Sequence, residues 1–125
     1  FQGCSSLTKI VIPPSVISVG NCAFQKCGSL SEISIPSSVT SIGSFAFSEC
    51  SSLKQISIPP SVTVIRESTF SKCAVLSNVS IPQSVKKIER FAFKDCRLLK
   101  EIEIPSSATY SSISFQPTTK VIKIE

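Results

Sequence analysis

The sequence predicts a repeat solenoid, in which the chain winds as a right-handed superhelix and each turn adds one strand to a parallel β-sheet on one face. Three observations support this fold. The 125 residues repeat with a period of 23, each period holds one short alternation of β-branched residues, and one period alone has no partner for its apolar side. Stacking equivalent periods supplies that partner, because each turn then covers its neighbour.

The period is visible in four residue types. Phenylalanine, cysteine, leucine and proline each return every 23 residues through five copies, without insertion or deletion. They are Phe1, Phe24, Phe47, Phe70 and Phe93; Cys4, Cys27, Cys50, Cys73 and Cys96; Leu7, Leu30, Leu53, Leu76 and Leu99; and Pro13, Pro36, Pro59, Pro82 and Pro105. We therefore divide a single domain, 1–125, into repeats 1–23, 24–46, 47–69, 70–92 and 93–115, with 116–125 as a terminal cap strand.

The strand of each repeat is marked by two β-branched residues two positions apart, as in Ile33 and Ile35. This spacing predicts a short strand with one buried face. A proline follows at once, as Pro36 does here, and ends the strand because proline has no N–H to donate.

The rest of each repeat is predicted as a return segment followed by one tight turn. Val39 and Ile42 are three positions apart, which favours an extended or tightly turned return. Ala46, Phe47 and Cys50 recur at near-helical spacing, which predicts a single turn of α-helix or 3₁₀-helix. Strands of successive turns would lie ~4.8 Å apart, and each large buried side chain would contribute roughly 1.5–3 kcal/mol.

The pattern changes after residue 105. Ser111 replaces the usual isoleucine, and the final strand "KVIKIE" arrives about three residues early if Ile122 and Ile124 match Ile102 and Ile104. We interpret this segment as a closing cap. Its charges, on Lys120, Lys123 and Glu125, would discourage further strands from adding.

The outward face of the strands is the candidate ligand-binding surface. Its residues differ between repeats while the inward residues do not, as expected if stacking fixes only the inward ones. They are Lys9, Val11, Glu32, Ser34, Gln55, Ser57, Asn78, Ser80, Glu101 and Glu103. The alternative is that they are merely solvated. These ten positions contain no aromatic residue and no arginine, which are the usual hot-spot residues of binding surfaces. The affinity for a ligand that contacts five turns should therefore be modest.

The cysteines are predicted to be buried free thiols that behave as small apolar side chains. Five of them form one inward row, which does not converge on a point as zinc ligands must. Cys22 stands apart from the row. The alternative is a disulfide between Cys22 and a neighbour, so cysteine usage leaves the redox compartment open.

Composition argues against catalysis, and the interpretation is a non-enzyme without cofactor or metal. The chain has no histidine for a base–nucleophile pair, and its four glycines form no phosphate-binding loop.

The net charge is +5. The densest basic stretch, from Lys86 to Lys100, is interpreted as ordinary exposed surface, with polyanion binding as the alternative. We expect no nucleic-acid ligand, and no membrane insertion because no apolar run approaches ~20 residues.

The segment "IPSSVTSIGSFAFSECSSLKQISIP" resembles the BspA-like, or Treponema-type, leucine-rich repeat family, whose repeat unit also has 23 residues. The resemblance covers residues 1 to about 105, and "LxxIxIP" carries it. It implies a microbial surface or secreted protein that binds host cells, matrix proteins or other microbes. The partner would be a protein or a glycan on the concave strand face. An intracellular scaffold or architectural spacer is the alternative.

Three further features of the sequence concern its start and one possible modification. The sequence begins at Phe1 inside the repeat unit, so we expect a fragment of a longer protein. We also expect that its exposed first turn can associate end to end with another copy. No signal peptide is visible. Asn78-Val79-Ser80 forms a glycosylation sequon, but it falls on a predicted strand, where modification is disfavoured.

Overall fold

The computed structural model describes residues 3–4 and 6–124, and in them the chain forms a parallel β-solenoid of about five turns. This confirms the fold class expected from the 23-residue period. The expectations that concern Phe1 and Glu125 lie outside the described residues.

Two series of short strands alternate along the chain. The first series carries the outward residues singled out above; it comprises β1 (Lys9–Val11), β3 (Glu32–Ser34), β5 (Gln55–Ser57), β7 (Asn78–Ser80), β9 (Glu101–Pro105) and β11 (Lys120–Ile124). The second series is formed by the return segments; it comprises β2 (Ser18–Val19), β4 (Ser41–Ile42), β6 (Val64–Ile65), β8 (Lys87–Ile88) and β10 (Thr109–Tyr110).

All strand pairs are parallel. The first series pairs as β1 with β3, β5 with β7 and β9 with β11, rather than as one continuous sheet. The second series pairs as β2 with β4 and as β6 with β8 and β10. Strands three residues long offer few ladder bonds, so the neighbouring pairs of the first series depend on packing of their inward side chains.

A third contact between turns lies in the segment that follows each return strand, and it runs through the whole stack. Here the Phe47 N–H donates to the Thr69 oxygen at 2.9 Å, and the Glu49 N–H donates to the Ser71 oxygen at 2.8 Å. Bonds of the same kind join every turn to the next, for example from Phe24 to Ala46, from Phe70 to Ala92 and from Phe93 to Ser114. This segment therefore binds the turns together where the first strand series is interrupted.

The predicted helical turn is wrong: the described residues contain no helix, and this segment is a pair of tight turns. Within one copy the Ala46 N–H donates to the Gly43 oxygen, and the Ser48 N–H to the Phe45 oxygen. Alternate N–H groups instead point to the next turn, which a helix would not allow. The chain achieves this with two left-handed residues per copy, at φ near 60°: Cys22 and Lys26, Phe45 and Glu49, Ser68 and Lys72, Phe91 and Asp95.

The left-handed backbone at Lys72 predicts how substitutions there change stability. Lys72 is exposed and has φ 60°. A β-branched residue is the poorest fit to this conformation, so Lys72→Val should lower the free energy of unfolding by about 1–2 kcal/mol. Lys72→Gly should be neutral or stabilising by up to about 1 kcal/mol, because glycine carries no Cβ penalty there. Urea unfolding followed by circular dichroism measures both. Equal stability of the two variants would contradict the left-handed backbone at Lys72.

The core consists of columns of identical side chains. Phe24, Phe47, Phe70, Phe93 and Phe115 stack face to face, with neighbouring ring centroids 5.3–5.5 Å apart and planes within 12° of parallel. The leucine column at Leu30, Leu53, Leu76 and Leu99 is fully buried, as is the cysteine column at Cys27, Cys50, Cys73 and Cys96. The predicted inward orientation of these columns is confirmed.

The last turn departs from the expected alignment. Tyr110, not Ser111, lies opposite Ile88, and Phe115 pairs with Phe93 at a spacing of 22. The turn is therefore already one residue short when the chain leaves the second strand series.

The final strand also lies one position away from the expected match. Val121, not Ile122, lies opposite Ile102, and Lys123 lies opposite Ile104. The offset between β9 and β11 is thus 19 residues. The shortened turn is held by side chains that donate to the preceding turn: Gln116 Nε2 to the Cys96 oxygen at 2.6 Å and Thr119 Oγ1 to the Leu99 oxygen at 2.8 Å.

Candidate functional site

The ten residues predicted for ligand binding lie together on one exposed surface, which we call the strand face. All ten are exposed, while the residue between each pair points inward, as Ile56 does between Gln55 and Ser57. The pleat explains this arrangement, because alternate side chains of a strand leave opposite sides. The register then aligns equivalent residues: Glu32 opposite Lys9, and Asn78 opposite Gln55.

The strand face contains two shallow depressions. One, of about 410 Å³, is bordered by Ser34, Gln55, Ser57, Asn78 and Ser80. The other, of about 390 Å³, is bordered by Lys9, Val11, Glu32, Ser34 and Gln55. Glu101 and Glu103 border neither of these two and extend the surface towards β11.

Charge is unevenly distributed along the strand face. Lys9 Nζ and Glu32 Oε2 form an ion pair at 3.7 Å near one end, and both side chains are about two-thirds exposed. Such a pair contributes at most about 1 kcal/mol. The middle, from Ser34 to Ser80, offers only hydroxyl and amide groups, and Glu101 and Glu103 bring negative charge at the far end. A ligand would therefore meet neutral hydrogen-bonding groups at the centre.

Sequence reasoning missed two residues that continue the strand face. The register places Lys120 opposite Glu101, and Ile122 opposite Glu103. Matching isoleucine to isoleucine assigned Ile122 to the interior. The signal that would have corrected this is Val121, whose apolar side chain packs against the core.

The cysteines form no exposed reactive site in the structure. All six are free thiols, and Cys22, for which a disulfide was the alternative, is half-buried. In the column, Cys50 Sγ donates to the Phe24 oxygen at 3.2 Å and Cys73 Sγ to the Phe47 oxygen at 3.1 Å. Burial raises the pKa of Cys50 and Cys96 to about 12, and raises that of Cys73 well above its usual range. Because the thiolate is the reactive form, these thiols are inert in the folded protein.

The basic stretch of the sequence is distributed around one coil. Lys87 lies on β8, Lys94 lies in the turn segment, and Lys100 directly precedes β9. A coil of 23 residues thus spreads the charges over different sides of the solenoid.

Residues 3–4 and 6–124 contain neither a metal-ligand cluster nor a membrane-spanning helix. No group of three or more metal-ligating side chains is assembled in this part of the chain. None of its segments is a helix of the length and apolarity that a bilayer crossing needs. Asn78 of the sequon lies on β7, as expected from the sequence.

Comparison with known proteins identifies the repeat. A family model described as "BspA type Leucine rich repeat region" matches residues 1–122 in six copies. Six is also the number of strands in the first series. Among curated proteins, none matches this chain.

Several solved bacterial structures are similar to the chain. A leucine-rich repeat protein from Bacteroides ovatus is 36% identical with a TM-score of 0.90, covering 98% of this chain and 31% of that one. A leucine rich cell surface protein from Faecalibacterium prausnitzii is 30% identical with a TM-score of 0.80, covering 91% and 32%. The leucine rich repeat protein of T. pallidum is 39% identical with a TM-score of 0.81, covering 85% and 50%. The chain thus spans half or less of the length of these structures.

Proposed function

Because the chain belongs to the BspA-type leucine-rich repeat family, we propose that it is a non-catalytic binding module whose strand face holds a protein or glycan ligand. The observation that carries this proposal is that all ten outward residues of β1 to β9 are exposed on one surface. Their identities are not required by the stack, so they are available for recognition.

The chemistry of the strand face suits an extended ligand that makes many hydrogen bonds. Its central residues present hydroxyl and amide groups at the regular spacing of neighbouring strands, ~4.8 Å. Each contact of this kind adds little, about 0.5–1.5 kcal/mol. Useful affinity would therefore come from engaging several turns at once, and further repeats in a longer protein would add to it.

We place this activity at the surface of a microbial cell, in adhesion to host cells, matrix or other microbes. Support comes from the family and from the F. prausnitzii neighbour, which is described as a cell surface protein. Export to the cell surface depends on the whole protein. The proposed location is therefore tested by surface labelling of cells that express the whole protein.

The binding proposal is tested by changing three turns of the strand face at once. The variant carries Glu32→Lys, Gln55→Lys and Glu101→Lys, all on exposed outward positions. We expect the free energy of unfolding to change by no more than about 1 kcal/mol, as surface substitutions usually do. Binding to immobilised host-matrix proteins and glycans should fall by about tenfold or more, because the lysines remove the amide of Gln55, reverse the charge at Glu32 and Glu101, and crowd the neighbouring hydroxyl and amide groups.

The control places three lysines on and directly beside the second strand series, which adds a formal charge of +3 where the strand-face variant adds +5. The changes are Ser18→Lys on β2, and Thr40→Lys and Thr63→Lys directly before β4 and β6, all at exposed positions. This control should retain both stability and strand-face binding. If the control and the strand-face variant bind every captured partner as the unaltered protein does, the strand face is not the site.

A further inference from the structure

A depression of about 420 Å³ lies outside the strand face, on the second strand series near the end of the stack. Strands β6, β8 and β10 pair here in that order. The lining includes Glu67, Lys87, Glu89, Arg90, Thr109 and Tyr110. None of these residues belongs to the surface on which the proposed function depends.

Tyr110 is the aromatic group of this depression. It lies opposite Ile88, where the earlier copies have a buried isoleucine such as Ile65. Because β10 is the edge strand of its sheet, 40% of Tyr110 is exposed. Its ring packs edge-on against Phe115 with centroids 5.7 Å apart, and Lys123 Nζ lies over the ring at 5.5 Å from its centroid. An exposed, well-anchored tyrosine offers an apolar ring and a polar hydroxyl to the same ligand.

The charged groups beside Tyr110 are already paired with one another. Arg90 Nε lies 3.5 Å from Glu67 Oε2, and Lys87 Nζ lies 3.9 Å from Glu89 Oε2. The Glu67 N–H donates to Glu89 Oε1 at 3.0 Å, which fixes the second carboxylate against the backbone. The two acids and two bases of the lining cancel one another, and Lys123, which lies outside the lining, is held over the Tyr110 ring.

We propose that this depression binds a neutral saccharide. A pyranose ring has one face of C–H groups that packs on an aromatic ring, and a rim of hydroxyls that both donate and accept hydrogen bonds. Tyr110 suits the first feature through the part of its ring that Phe115 and Lys123 leave uncovered. The carboxylates of Glu67 and Glu89, the Arg90 guanidinium and the Thr109 hydroxyl suit the second, and charge-assisted hydrogen bonds are the stronger kind. The volume falls in the range of about 300–1,000 Å³ that is typical of small-molecule sites.

A protein partner is less well matched to this surface. Protein hot spots combine desolvated anchors with a surrounding seal of contacts, whereas this depression is open and its charged pairs remain solvated. A neutral sugar leaves both ion pairs in place and uses only their unfilled hydrogen-bonding positions. Charge balance and the single aromatic platform together therefore favour the saccharide.

The chain supplies its own reporter for the test. It contains one tyrosine and no tryptophan, so tyrosine fluorescence reports on Tyr110 alone. The whole chain would be titrated with oligosaccharides of glucose, mannose, galactose and N-acetylglucosamine. We expect a saturable fluorescence change with at least one of them, and the fitted Kd should stay constant between about 0.1 and 1 M salt.

Two variants decide whether the depression is responsible. Arg90→Ala should weaken the saccharide response by about tenfold, while Arg66→Ala, an exposed arginine outside the lining, should leave it unchanged. The strand-face triple variant should also respond normally, so failure of this inference and failure of the proposed function are distinguishable. Circular dichroism verifies that each variant is folded.

Three results would overturn the inference. The first is no fluorescence change with any neutral saccharide. The second is a response only to a sulfated polysaccharide such as heparin that disappears at high salt, since this indicates an electrostatic surface instead. The third is a saccharide response lost in the strand-face variant and retained in Arg90→Ala, which would move the site to the strand face.

Discussion

Replacing Phe47 with alanine is expected to lower the free energy of unfolding by about 3–5 kcal/mol. The ring is fully buried and stacks on Phe24 at 5.3 Å and on Phe70 at 5.5 Å. Its removal leaves a cavity between two turns that other side chains cannot fill without shifting the column. Urea unfolding followed by circular dichroism gives the free energy directly.

The matched control is Phe45→Ala, two residues earlier. Phe45 is half-buried and has a left-handed backbone, which alanine retains at similar cost. Its loss should therefore cost about 1 kcal/mol or less. If Phe45→Ala destabilised the protein as much as Phe47→Ala, or if Phe47→Ala were silent, the assignment of the interior would be wrong.

The second large effect is expected at alkaline pH. Burial raises the pKa of Cys50 and Cys96 to about 12, and that of Cys73 well above its usual range. In the unfolded chain the same thiols ionise near pH 8.5–9, so between that pH and about 12 the unfolded state holds fewer protons than the folded state. Stability is therefore fully present below about pH 9 and falls as the pH rises.

The expected size follows from the number of thiols. Each buried thiol contributes about 1.4 kcal/mol per pH unit, so Cys50, Cys73 and Cys96 together should lower the free energy of unfolding by about 4 kcal/mol per unit. Cys27, whose pKa burial also raises, should add to this slope. Urea unfolding at pH values from about 8 to 11 measures this slope. Cys73→Ala should reduce the slope by about 1.4 kcal/mol per pH unit. Val75→Ala, which removes part of a half-buried side chain without removing a thiol, should leave it unchanged.

A slope that is the same in Cys73→Ala as in the unaltered chain would show that these thiols do not titrate on unfolding. Stability that rises with pH above 9 would contradict the sign of the shifts. Either result would remove the cysteine column as a source of alkaline sensitivity.

The interior could be predicted from the sequence because every copy repeats the same inward residue. Phe47, Cys50 and Leu53 are all fully buried, as the 23-residue period indicated. The strand face was accessible to the same reasoning, since residues such as Gln55 and Ser57 alternate with the buried Ile56. A pattern with period two fixes which side of a strand is inside, whatever the rest of the turn does.

The turn segment and the last coil were not predictable in this way. The spacing of Ala46, Phe47 and Cys50 satisfies a helix, and only backbone torsions distinguish a helix from two tight turns. The residues with left-handed backbone include Phe45, Glu49 and Lys72. These residue types are not enriched at positive φ, so they do not indicate that conformation in a sequence. The Tyr110 depression depends on the shortened last turn, so its residues gave no shared signal in the sequence.

The sequence by itself determined the repeat, the inward columns and the exposed strand face, because these follow from period and alternation alone. Tertiary structure decided where alternate N–H groups of the turn segment point, and that Val121 rather than Ile122 faces the core. The physical reason is that hydrogen bonds between turns join residues about 23 positions apart. Their geometry depends on how the coils are stacked, which no local pattern records.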